Sequence, residues 1–280
     1  MATAAAEPRG LPDPEALRVL AEQAARAGGE TARRYFGREL TIQFKDDDSE
    51  VSEADHAAQS VVVDVLRSHR PHDAFLTEEE ILLSPPAPSP DDARVCWVVD
   101  PLDGTRNFVR NIPLYVCSVA AMYAGAPVAA AIYDPVRDTL YSGALGRGVL
   151  VDDEPRAAYA GCRRRSGIHP KPVVTVPSTP GKFTRRIAHA WLERYVCRSL
   201  GCTALQMAWV AVGKLDAMLA DNPRLWDLAA GALLITEMGG AVVSLDGSPL
   251  FPLDVSAYRG EPVPMIAVYE AARLSEFLSP

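Results

Sequence analysis

Residues 97–108 read WVVDPLDGTRNF, and the rest of the chain takes its meaning from this stretch. A short apolar run, Val95 to Val99, has the pattern of a buried strand. The strand is expected to end on Asp100, because Pro101 forbids a helix there and fixes a turn. Asp103 follows three residues later, so a pair of carboxylates leaves one strand end. Gly104 and Thr105 then open a segment whose backbone N–H groups point into the same space. Carboxylate oxygens beside free N–H groups suit hard cations and a phosphate. Taken singly, Asp, Pro, Gly and Asn are turn formers, and Asp-Gly after a strand is often a turn and nothing more.

In combination, D-P-x-D-G-T-x-N-F behind a hydrophobic strand resembles the signature of the inositol monophosphatase family, the lithium-sensitive, magnesium-dependent sugar phosphatases. A second stretch, WDLAAGALLITEMGG at residues 226–240, is similar to that family's other signature. The resemblance runs from Lys45 to the terminal helix. It implies an α/β (α+β) fold, a layered αβαβα sandwich. A loose, basic segment at Ala157 to Ser166 suggests a boundary, with an N-terminal α+β half at 1–156 and a C-terminal α/β half at 157–280.

The bulk properties leave room for such an enzyme. The 280 residues suffice for one large domain or two joined ones, and 48% hydrophobic with 23% charged residues is ordinary for a globular chain. A net charge of −8 argues against coating nucleic acid or lying on a membrane surface. An anionic substrate stays open, since bound divalent cations invert the local field. The five cysteines are scattered without a C-x-x-C pair, which suggests neither a zinc knuckle nor a disulfide framework. The start, MATAAAEPRG, lacks the pattern of a signal peptide, and no apolar run would span a bilayer, so the cytoplasm is the default expectation.

Along the chain, Asp13-Pro14 reads as a helix start, with a weak point or break at Gly28-Gly29. Ser52-x-x-Asp55 has the form of a capping box, which alone would account for Asp55. Leu114 to Tyr123 and Pro127 to Tyr133 read as long strands, followed by shorter ones up to Val151 in an antiparallel-looking block. The basic triplet Arg163-Arg164-Arg165 reads as an exposed connector. Asp227 stands where a helix cap belongs, and Gly239-Gly240 closes that helix.

What the resemblance adds is a site. It gives Asp55, with Thr105, the task of taking the proton from an attacking water. It makes Glu78 a metal-bridging and catalytic carboxylate, although Thr77 stands where the family has glycine and Glu79 is the fallback. Metal ligands carried over are Glu78, Asp100, the Leu102 carbonyl, Asp103 and Asp227. Substrate contacts carried over are Asp103, Gly104, Thr105, Gly201, Cys202, Thr203 and Asp227, with Cys202 departing from the family's G-T/S-A-A turn. Glu237 is read as structural.

This all-oxygen set selects Mg2+, with Mn2+ as a substitute, over zinc or copper. The family uses two to three such ions and attacks phosphate in line with water, without a phosphoenzyme. The function expected is hydrolysis of a small-molecule phosphate ester, a polyol or sugar phosphate such as inositol monophosphate, by a protein without nucleic-acid or membrane partners, as a homodimer. The alternatives are histidinol phosphate, fructose 1,6-bisphosphate or a 3′-phosphonucleotide, and further off a non-catalytic metal-binding regulator. Asn107 favours the inositol branch over the nucleotide branch. Ala220, however, sits where that branch carries its inositol-contacting glutamate, in the segment Asp216 to Ala220.

Overall fold

The computed structural model describes residues 10–44, 50–79, 89, 94–155 and 171–278. The acidic run after Lys45, most of the proline-rich stretch at 84–90, Cys162 and the arginine triplet at 163–165 lie outside these residues.

Helix α1 (Pro14–Arg33) starts as its sequence dictates: the Asp13 carboxylate accepts from the Glu15 N–H at 3.1 Å, and Pro14 needs no donor at its position. It does not break at Gly28-Gly29. A Cβ at Gly28 would lie 2.5 Å from the Val62 side chain and 2.8 Å from the Cys117 sulfur. The glycines are there for close approach, not for a turn. Gly28→Ala is therefore expected to overpack the core at a cost of about 1–3 kcal/mol, read as a lower melting temperature.

After a short antiparallel pair, β1 (Ile42–Phe44) and β2 (Glu50–Ser52), helix α2 (Glu53–His69) packs beside α1. A seven-stranded sheet follows: β3 (Ala74–Thr77), β4 (Cys96–Asp103), β5 (Val116–Tyr123), β6 (Ala126–Asp134), β7 (Thr139–Ala144), β8 (Gly148–Val151) and β9 (Glu154–Pro155), in that spatial order. Only β3 and β4 pair in parallel; the rest is antiparallel. The strand expected to stop at Asp100 runs on to Asp103, and its pairing with β5 slips between those two aspartates. Pro101 falls at that irregularity, where no ladder N–H is required of it. The one-turn helix α3 (Thr105–Phe108) comes directly after.

The second sheet has the order β11 (Val196–Arg198), β10 (Val173–Thr175), β12 (Ala217–Ala220), β14 (Met265–Val268), β13 (Ala241–Ser244). Its β10, β11 and β12 are parallel. Helices α4 (Arg185–Arg194), α5 (Thr203–Ala211), α6 (Leu225–Glu237) and α7 (Leu274–Leu278) complete the set, the last preceded by a 3₁₀ turn at Ala271–Arg273.

Alternation along the strands sorts the core into layers. Phe75, Trp97, Val99, Cys117 and Val119 meet α1 and α2 on one face of the first sheet. Leu76, Val98, Val116 and Ile132 meet α5 and α6 on the other, together with Met218 and Ala267 of the second sheet. Val174, Ala217, Leu219 and Ile266 turn outward to α4 and α7. Helices, sheet, helices, sheet, helices: the layers are those of the αβαβα sandwich. Among the described residues, no helix is long and apolar enough to cross a membrane.

Candidate metal and phosphate site

Asp100 and Asp103 leave β4 on either side of its slipped pairing, and Asp227 enters from the first turn of α6. Asp100, Asp103 and Asp227 each bring a carboxylate oxygen to within 4.8 Å of the others. Such a triangle of acids is unfavourable by itself. Burial first, and then Glu78, Asp103 and Asp227 nearby, hold the Asp100 carboxyl well above the usual carboxylate range. Asp227 is raised in the same way, by burial and then by Asp103 and Glu78.

The burial of Asp103 pushes its carboxyl up to about 6, opposed by its hydrogen bonds. These bonds come from across the layer interface. Asp103 Oδ2 accepts from the Ala204 N–H at 2.6 Å and from the Cys202 thiol at 3.0 Å, at the start of α5. Cys202 is buried behind Asp103 and contributes nothing to the cavity wall, whereas Gly201 and Thr203 do line it. The chain departs here from the family turn, and the thiol donates to Asp103.

The carboxylate of Asp55 divides its oxygens between both roles considered for it. Oδ2 caps α2, accepting from the Ser52 N–H at 2.8 Å and the Ser52 hydroxyl at 2.7 Å. Oδ1 faces the Thr105 hydroxyl at 3.1 Å, and that hydroxyl also lies 3.0 Å from the Leu102 carbonyl. One proton cannot serve both acceptors at once, so Thr105 can donate to Asp55 and release the Leu102 oxygen. Burial raises Asp55 to about 6 against the pull of its Ser52 bonds.

Glu78 follows β3, its N–H donating to the Val99 carbonyl at 3.2 Å, and its side chain reaches the same cavity as Asp103 and Asp227. Glu79 is no part of that wall; its N–H is bound to Gln59 Oε1 at 3.2 Å. Gly104 adopts φ +96°, and a Cβ there would sit 2.7 Å from the Leu114 carbonyl, so only glycine fits this turn. Glu237 lies away from the cavity, accepting from the Gly146 and Gly148 N–H groups at 2.9 Å each.

Other residues of the site had no assigned contact in the sequence. The Asn107 amide donates to the carbonyls of Leu114 at 2.9 Å, Leu200 at 2.8 Å and Gly201 at 3.2 Å. It ties the α3 turn to the loop that opens α5. Asn107→Ala should lower stability by about 1–3 kcal/mol in denaturant melts and raise KM more than it lowers kcat. Glu50, paired with Arg110 at 2.8 Å, and Arg106 line the cavity as well. So do Ser178, Thr179, Ser199, Asp221 and Asn222, each in a loop following a parallel strand of the second sheet. The C-terminal ends of parallel strands are where open α/β sheets bind ligands, and that rule was the available signal for them.

The cavity these groups enclose has a volume of about 360 Å³. A sequence profile described as the inositol monophosphatase family matches residues 13–269. The chain belongs to the inositol monophosphatase family. It is by that membership a phosphoric monoester hydrolase, of a family that depends on metal ions. An inositol-1-monophosphatase of Mesorhizobium japonicum is 34% identical over 262 residues, spanning 90% of this chain and 94% of the relative. The Nus factor SuhB of Escherichia coli is 29% identical, over 88% of this chain and 91% of its own length. A crystal structure of the extragenic suppressor protein suhB from Bartonella henselae superimposes with a TM-score of 0.78 at 29% identity, covering 94% of this chain and 98% of that one.

The donor chemistry fits the family's ions. Asp100, Asp103, Asp227 and Glu78 offer carboxylate oxygens, and the sulfur beside Asp103, on Cys202, is a buried thiol held well above its ordinary range by burial. Hard divalent cations are the partners such a set prefers. They would also relieve the repulsion that raises the carboxyl pKa values.

Proposed function

We propose that the protein is a magnesium-dependent phosphomonoesterase that hydrolyses a small polyol or sugar phosphate by direct attack of water. The observation that carries this reading is the convergence of Asp100, Asp103 and Asp227 from two separate elements beside the Gly104–Thr105 turn. Asp100, Asp103, Asp227, Glu78 and the Leu102 carbonyl would hold the ions, Mg2+ or in its place Mn2+. Bound there, the ions would drain charge from the phosphoryl oxygens and make a water acidic enough to ionise near neutral pH.

The chain's own groups do the remainder. Backbone N–H groups at Gly104 and Thr105 grip the phosphate. The Thr105 hydroxyl passes its proton to Asp55 Oδ1 while taking one from the attacking water, and Ser52 keeps that carboxylate aimed through its other oxygen. Gly201 and Thr203 stand in the wall that the alcohol faces. Thr105→Val should slow turnover by about 100-fold or more, the usual range for a lost acid–base group, and leave the metal-dependent gain in melting temperature intact. Unchanged turnover would remove Thr105 from proton transfer.

The test of the function is phosphate release from inositol 1-phosphate, glycerol 2-phosphate, histidinol phosphate, fructose 1,6-bisphosphate and a 3′-phosphonucleotide, with millimolar magnesium and with a chelator. Release on none of them would leave a second reading, suggested by the Nus factor relatives, in which the fold serves regulation without turnover. The complete set of acids favours catalysis, because a fold that had lost turnover would be expected to lose an acid first.

A further inference from the structure

Helix α5 opens without a side-chain cap of its own. Its N-cap position is Cys202, whose side chain makes no bond to the helix's first N–H groups. Serine, threonine, aspartate and asparagine are the usual residues there, because each brings an oxygen that accepts from those groups; a thiol sulfur is a weak acceptor. The acceptor comes instead from the facing layer, where Asp103 Oδ2 takes the Ala204 N–H at 2.6 Å. The same oxygen receives the Cys202 thiol at 3.0 Å, and the Asp103 carbonyl lies 3.4 Å from the sulfur. Both oxygens belong to Asp103, so the single thiol proton goes to that residue in either geometry.

Cys202 is itself fixed from several sides. It is buried, which keeps a thiol protonated. Its carbonyl accepts from the Gln206 N–H at 3.2 Å and from the Gln206 side-chain amide at 2.8 Å, both in the first turn of α5. It also rests on the phosphate turn, for a Cβ at Gly104 would lie 3.3 Å from the Cys202 Cβ. With two donors of one segment on one oxygen, the Asp103 carboxylate cannot rotate without breaking both bonds.

We propose that Cys202 is a positioning residue for Asp103, and that its thiol sets how tightly the site holds a divalent cation. This rests on the metal-site reading of Asp103 above and deepens it. Groups that orient a metal-ligating side chain contribute roughly 10- to 100-fold to metal affinity. A thiol is a weak donor, and the Ala204 N–H remains when it is lost, so the low end, about tenfold, is expected here. The family's G-T/S-A-A turn offers a hydroxyl at this position, so this chain carries the weaker of the two donors.

The experiment is calorimetric titration of the intact protein with magnesium, comparing wild type, Cys202→Ala, Cys202→Ser and, as a control for general loosening, Gly28→Ala in the layer of α1. Cys202→Ala should weaken magnesium binding by about tenfold and raise the magnesium needed for half-maximal turnover by the same factor. Cys202→Ser keeps a donor and should bind as tightly as wild type or more so. Gly28→Ala should lower the melting temperature and leave magnesium affinity unchanged. Wild-type affinity in Cys202→Ala would overturn the proposal, as would a serine variant as weak as the alanine one or an equal loss in Gly28→Ala. Each of these spares the metal site itself. Wild-type protein that binds no magnesium would sink the metal reading and the positioning role together. Cys202→Val, which fills the space of the sulfur without a donor, replaces the alanine variant if melts show that it does not fold.

Discussion

Asp100→Asn is expected to abolish phosphate release, by about 100-fold at the least, while the fold survives. The side chain is buried, and its Oδ1 accepts from the Leu102 N–H at 3.0 Å, which the asparagine carbonyl can still do. Volume and this local bond are kept; the negative charge and one metal-binding oxygen are not. Loss of groups that merely orient a metal ligand costs roughly 10- to 100-fold, so removal of the ligand itself should exceed that range. The same variant should melt at a higher temperature than wild type in chelator, because one member of the repelling cluster has gone. It should melt lower than wild type in magnesium. Turnover comparable to wild type would take Asp100 out of the metal site.

Metal removal should have the largest effect on stability, and its pH dependence has a definite sign. Asp55 and Asp103 are raised by burial to about 6, and burial with neighbouring carboxylates holds Asp100 and Asp227 well above the usual carboxylate range. A carboxyl raised in the folded state binds more protons folded than unfolded, so its contribution is fully present below the unfolded pKa of about 4 and is lost as pH climbs through the folded value. The metal-free protein should consequently melt at a lower temperature at about pH 8 than at about pH 6. Magnesium reverses the trend, since the ligands must be ionised to bind it and ionise more readily as pH rises. At about one hundred times Kd it adds about 2.7 kcal/mol. For a chain of 280 residues that corresponds to roughly 5 °C, because the shift per kcal/mol shrinks as the chain lengthens. Calorimetric scans at two pH values, with and without chelator, decide it; a chelated protein equally stable at both would contradict the buried-acid account.

Much of the site was legible because it is local. Asp100, Asp103, Gly104, Thr105 and Asn107 lie within eight residues, and turn chemistry plus a preceding apolar strand identifies them together. Asp227 needed a second signature, but that too is one contiguous segment. The strand's continuation to Asp103 was not legible, because a slip in pairing is a property of β4 against β5 and leaves no mark in β4 alone. The unbroken α1 was misread for the same reason: the partners of Gly28 are Val62 and Cys117, remote in sequence. Ser178, Ser199 and Asp221 escaped notice because three loops carry them, and only the parallel pairing of β10, β11 and β12 brings them to one wall.

Asp103 is held by the first N–H groups of α5, and Asn107 by the carbonyls just before that helix, so the turn at Asp103–Asn107 is stitched to a segment nearly a hundred residues away. The seam between the sandwich's inner layers thus also borders the cavity. Loosening that seam by a fraction of an ångström would spread the aspartates before any layer melted, which makes ion affinity a gauge of how tightly the whole molecule is closed.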